Sequence, residues 1–174
     1  MPMMKCMRSF GLCLAIVAGL TACARNDEGD LRATMNQWFF LGDLEYFKSK
    51  TRCTAAVYRL RVVETRRALP VQGSVADAKA AFSTVGISAF QIEGFSANDL
   101  TDALLLKGRG TMGKQVLAAA AQAVPCFEGT SAETKLRKAL TRKGGVLVYD
   151  TGSEGAMVLD PVARLVFYVA GDVW

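Results

Sequence analysis

Near its C-terminus the chain carries Leu165-Val166-Phe167-Tyr168-Val169, an apolar run without polar alternation. Successive side chains of a strand point to opposite faces, so such a run suits neither face to water and demands a sheet covered on both sides. Two shorter apolar segments, 146–149 and 156–159, precede it. The stretches between, 150–155 and 160–163, hold the Asp, Gly, Ser and Pro of tight connections. This segment predicts a three-stranded antiparallel meander, with helices over at least one face.

The remaining chain supplies those helices and further strands. Leu31, Met35, Trp38 and Leu41 recur at helical spacing and predict an amphipathic helix up to Gly42. Segments 44–48 and 53–63 read as extended around 49–52, with Ala56, Tyr58, Leu60 and Val62 on one face and Arg59 and Arg61 on the other. A helix also fits Cys53, Val57, Leu60 and Glu64, and at this point both readings stand. Residues 66–73, with Pro70, read as a loop. Ser74 with Asp77, and Ser96 with Asp99, match a helix N-cap with its reciprocal acid, opening helices to about 84 and 107; a short strand over 87–92 separates them. An alanine-rich helix over 114–124 is expected to stop at Pro125, with Cys126 just past its end. Ser131 opens a basic helix to about 143, closed by Gly144-Gly145. The class expected is α+β: an antiparallel sheet with a C-terminal three-stranded meander packed against several helices.

The 174 residues include no histidine. Ser-His-Asp and Cys-His nucleophiles, imidazole acid/base catalysis and histidine metal sites are thereby excluded. The sixteen acidic residues form no D-x-D-x-D-G loop, so no metal and no other cofactor is expected.

Lys5 and Arg8 are the only charged residues before Cys23, and they precede the apolar run 10–20, about half the length a membrane-spanning helix requires. A basic start, a short apolar core and small residues make an export signal. Leu20-Thr21-Ala22-Cys23 resembles the lipobox of bacterial lipoproteins. The resemblance covers the leader alone. It implies cleavage before Cys23, a thioether-linked diacylglycerol on Cys23 and a lipid-anchored place in the bacterial cell envelope; Ala24 favours the outer membrane, facing the periplasm. The organisation implied is a signal peptide over 1–22, a lipidated tether over 23–30 and a single α+β envelope domain over 31–174. In such an oxidising compartment the two cysteines left to the domain, Cys53 and Cys126, are expected to form one disulfide.

Loss of residues 1–22 would take away Lys5 and Arg8 and no acid, so the formal charge falls from +5 to +3. Basic residues still cluster at Arg59, Arg61, Arg66 and Arg67, and at Lys135, Arg137, Lys138, Arg142 and Lys143. Solvated faces explain such clusters most simply, but Arg59, Arg61, Arg137, Lys138 and Arg142 are also the candidates for facing anionic lipid, lipopolysaccharide or cell-wall polymer. Nucleic acid is not an expected partner, since no nucleic-acid-binding motif is present.

Two motifs invite chemistry. Gly108-Arg-Gly110-Thr-Met-Gly113 satisfies G-x-G-x-x-G, but phosphate cradling needs a strand running into the loop, and the segment before it reads as helix. A glycine-rich turn between two helices is expected there, and no nucleotide. Asp150-Thr151-Gly152, after the apolar strand 146–149, resembles the catalytic loop of aspartic proteases, which implies a dimeric peptidase using Asp150. Only 24 residues follow Asp150, too few for the barrel of that family, and a hairpin turn is the reading preferred. The expectation for function is a lipid-anchored envelope protein that binds or scaffolds an envelope partner without catalysis. A module for anionic lipid or cell-wall polymer, and the Asp150 peptidase, are the alternatives.

Overall fold

A computed structural model describes residues 25–107 and 111–171. In order they form α1 (Glu28–Met35), β1 (Phe39–Lys50), β2 (Cys53–Thr65), β3 (Val71–Gln72), α2 (Val75–Val85), β4 (Ile87–Phe90), α3 (Ala97–Lys107), α4 (Thr111–Phe127), α5 (Ser131–Thr141), β5 (Val146–Asp150), β6 (Gly155–Asp160) and β7 (Leu165–Gly171). The strands build one seven-stranded sheet, ordered β1-β2-β7-β6-β5-β4-β3. Neighbours are antiparallel except β3 and β4, which run parallel with α2 as their crossover. The architecture is α+β, and the C-terminal meander is β5-β6-β7.

Period-two alternation divides the apolar strands between two cores. Cys53, Ala55, Val57, Leu147, Tyr149, Ala156, Val158, Leu165, Phe167 and Val169 point to one face, where they meet α2, α3, α4 and α5. Ala56, Tyr58, Leu60, Val146, Val148, Met157, Leu159, Val166, Tyr168 and Ala170 point to the other, with Leu31 and Met35 of α1 and Leu69 of the β2–β3 connection. Every residue of β6 and β7 is buried. Burying each large side chain stabilises the fold by about 1.5–3 kcal/mol, so the two-sided run dictates the layered arrangement.

Cap chemistry fixes the helix starts. Ser74 accepts from the N–H of Asp77 at 3.1 Å, and Ser96 and Asp99 exchange the reciprocal pair at 3.2 and 2.8 Å. The hydrogen bonds from Ser96 hold the Asp99 carboxyl below its usual range. Helix α5 is capped by Thr130, with Ser131 its first helical residue.

Three expectations are corrected. The first helix stops at Met35 rather than Gly42: Asn36, Gln37 and Trp38 close on Arg32, Thr34 and Met35 as turns. Phe39 and Leu41 then pair with β2, because sheet burial outweighs the helical spacing. Helix α4 continues through Pro125 to Phe127. Proline removes one N–H in the last turn, and burial of Cys126 and Phe127 offsets that loss. Within 66–73, Val71–Gln72 is a short strand on β4.

Of the stretch 23–30, residues 25–30 already belong to the packed domain. The N–H of Arg25 donates to the Lys50 carbonyl at 3.0 Å. The Asn26 side-chain oxygen accepts from Thr54 at 2.7 Å, and Asp27 caps α1. The leader and Cys23 lie outside the described residues.

Candidate anion-binding cleft

On the helix-covered face of β2, Cys53, Ala55 and Val57 are buried, while Arg59 and Arg61, next in alternation, are exposed. Burial along this face of β2 ends after Val57, and Arg59 and Arg61 keep their charged heads in water. Glu45 of β1 ties this part of the sheet to α5. Its Oε1 accepts from Arg59 Nη2 at 2.7 Å and its Oε2 from Lys135 Nζ at 2.5 Å. One turn on, Lys138 is exposed and has no carboxylate partner among the described residues. Past the end of α5, Arg142 Nη1 donates to Asp160 Oδ2 at 2.6 Å. The other oxygen of Asp160 accepts the N–H groups of Val162 and Ala163, at 3.0 and 3.1 Å, and so builds the β6–β7 turn.

These side chains line a cleft of about 220 Å³, completed by Ala163 and Leu165. It gathers four cations, Arg59, Lys135, Lys138 and Arg142, against two carboxylates. The two ion-pair systems differ in kind. Asp160 is only 2% exposed, so Arg142 compensates a buried charge and is structural. Arg59 is 63% exposed whereas Glu45 is 14% exposed, so Arg59 and Lys135 together compensate a largely covered carboxylate while keeping their own heads in water. The cation of the cleft that carries no carboxylate among the described residues is Lys138.

Of the basic candidates, Arg59, Lys138 and Arg142 are brought together. Arg61 and Arg137 are not among the residues lining the cleft. The Arg61 carbonyl accepts from Arg164, and Arg137 lies along α5 against Glu133 at 2.7 Å. That contact, with the Gly129 N–H, holds the Glu133 carboxyl below its usual range. Sequence reading missed Glu45, Lys135 as a site residue in its own right, and Asp160. Lys135 was visible in the basic run, whereas the two acids carry no local signal; their role comes from sheet register and from the approach of α5.

Cys53 and Cys126 are joined, with Cα atoms 6.1 Å apart. The bridge pins the end of α4 to the start of β2, beside the Tyr46 hydroxyl, which donates to the Cys126 carbonyl. Burial raises the Tyr46 pKa, with a hydrogen bond to Thr130 opposing it. Asp150 closes β5, where its carboxylate accepts from the Gly152 and Ser153 N–H groups at 3.1 and 3.0 Å, the geometry of a turn. Residues 108–110 of the glycine motif lie outside the described residues. The segment before them is helix α3, and Gly113 lies in α4, where a Cβ would stand 2.9 Å from the Leu105 backbone nitrogen. That glycine permits close approach of two helices. A larger cleft of about 600 Å³ includes Tyr149, Lys114 and Glu154. Burial, reinforced by Glu154 and Asp150, pushes the Tyr149 hydroxyl up to about 12.

The fold and the cleft define an α+β domain whose helix layer is joined to the sheet by a disulfide and a bridging glutamate. No family model matches the chain, and no curated protein or solved structure is significantly similar to it.

Proposed function

We propose that the chain is a lipid-anchored protein of the bacterial cell envelope that binds an anionic envelope partner in the Arg59, Lys135 and Lys138 cleft, without catalysing a reaction. The observation that carries this reading is that Arg59 of β2 meets Lys135, Lys138 and Arg142 of the α5 region, far away in sequence, in one concavity that holds more cations than carboxylates. The leader resemblance supports the anchor, and the disulfide is consistent with an oxidising compartment. Asp150 supports the turn reading, since both its oxygens are engaged by backbone N–H groups.

The test is binding of soluble polyphosphate to the mature protein and to the Arg59→Ala, Lys138→Ala double variant. Lys135 and Arg142 are left in place because their removal would strand Glu45 and Asp160. Two exposed contacts predict about a three- to tenfold loss of affinity at low ionic strength, and the wild-type advantage should shrink as salt rises. Equal affinity of the two proteins, with the variant folded, would refute the cleft.

A further inference from the structure

The domain holds its chain at the point where an anchor would enter. Arg25 is the second residue after Cys23, and two residues of extended chain span at most about 7 Å. Its N–H is bonded to the Lys50 carbonyl at 3.0 Å, and its guanidinium to Glu154 at 2.7 Å, with the side chain only 15% exposed. The N–H of Asn26 donates to Ser49 Oγ at 3.0 Å. The segment after Cys23 is thus fastened to one end of the sheet, where β1 turns into β2, β6 begins and β7 ends.

That end presents a distinct surface. Lys50 and Arg52 are exposed and have no carboxylate partner among the described residues. Lys50 Nζ donates to the Pro125 carbonyl at 3.3 Å, which places it beside Val124, itself 52% exposed. Cations next to an exposed apolar side chain suit the boundary between headgroups and acyl chains. The cleft lies towards the other end. From Cys53, opposite Lys50, strand β2 runs six residues to Arg59, about 20 Å at strand rise.

We infer that the domain stands end-on to its membrane, with Lys50 and Arg52 against anionic headgroups. Its basic cleft then faces away, towards an anionic polymer that is not part of the anchoring bilayer. This rests on the reading of Cys23 as lipidated. At a Debye length of about 8 Å, headgroup charge about 20 Å away is screened from the cleft, so the two basic surfaces serve different partners.

The experiment places the full lipidated chain in phosphatidylcholine vesicles containing a minor share of phosphatidylglycerol and a headgroup-labelled quencher lipid. A fluorophore is attached through Thr51→Cys in one variant and Ala163→Cys in another, with the native disulfide intact. The expected result is loss of most emission at position 51 and retention at 163, with the polyphosphate affinity of the unlabelled wild-type chain unchanged between vesicle-bound and detergent-solubilised protein. Equal quenching at both positions, stronger quenching at 163, or loss of polyphosphate binding on the vesicle would overturn the orientation. A chain that begins at Ala24, and so lacks both Cys23 and the apolar leader 10–20, is the control that separates the two failures. If the chain from Ala24 floats with vesicles as well as the wild type does, the lipid anchor itself is refuted and the orientation falls with it; if only the wild type floats, the quenching decides the orientation alone.

Discussion

Removing the Cys53–Cys126 bridge is the perturbation whose magnitude follows most directly from the structure. The two cysteines are 73 positions apart, and loop-closure entropy for a cross-link of that span gives about 4 kcal/mol at 25 °C, lost when the unfolded chain is released. The bridge also clamps the last turn of α4, which already lacks one hydrogen bond at Pro125. Urea unfolding followed by tryptophan fluorescence measures the effect in two ways. One is Cys53→Ala with Cys126→Ala; the other is the wild type with and without reductant, which leaves every side chain in place. With a urea slope of about 2 kcal/mol/M the midpoint should fall by about 2 M, and the slope should rise because the uncrosslinked chain exposes more surface. In a thermal melt the drop should be about 8–16 °C. Both cysteines are buried, so the alanine pair should fall somewhat further than the reduced wild type. A loss below about 1 kcal/mol in both arms would show that the loop-entropy reasoning is wrong for this fold.

Three other outcomes follow from single contacts. Gly155→Ala would put a Cβ 2.5 Å from Tyr168 Cε2, and since Tyr168 is buried in the second core the cost should be about 1–3 kcal/mol; an unchanged denaturation midpoint would contradict it. Arg142→Ala leaves the Asp160 carboxylate buried with only two backbone donors, and should cost about 1–3 kcal/mol, partly restored by adding Asp160→Asn; additive losses in that double variant would refute the pairing. Burial raises all four tyrosine hydroxyls, those of Tyr58 and Tyr149 up to about 12 from 10.0, so absorbance titration should find none of them ionising with the exposed reference, and these two well after it. Between those values the unfolded chain gives up the protons and the folded one keeps them. Stability conferred by these tyrosines is whole below pH 10 and is lost as pH climbs towards 12, and a stability that held constant across that window would contradict the assignment.

Elements with a local cause were legible in the sequence. Ser74 with Asp77 and Ser96 with Asp99 open helices because the capping bonds lie within one turn. The meander was legible from unbroken apolar runs between turn residues, and the demand for cover on both faces followed from strand geometry alone. The errors fall where a distant partner decides. Trp38 and Leu41 fit the helical spacing of Leu31 and Met35, but β2 captures Phe39 and Leu41. Pro125 has the local character of a stop, yet α4 passes it because Cys126 and Phe127 are buried and Cys126 is bonded to Cys53.

The cleft divides in the same way. That Arg59 and Arg61 share a face, and that α5 is basic, follows from periodicity, which is a property of neighbours along the chain. That Arg59 meets Lys135 across Glu45, while Arg137 and Arg61 stay outside, depends on the β1–β2 register and on where α5 crosses the sheet. Likewise Asp160 was readable as a turn residue, but not as the buried counter-charge of Arg142. By itself the sequence determined the class of layers, the helix caps and the absence of imidazole chemistry, because each depends on residue type and short-range spacing. Only the tertiary structure decided which charges share a cleft and where residue 25 is fastened, because those are set by strand pairing and helix packing between residues far apart along the chain.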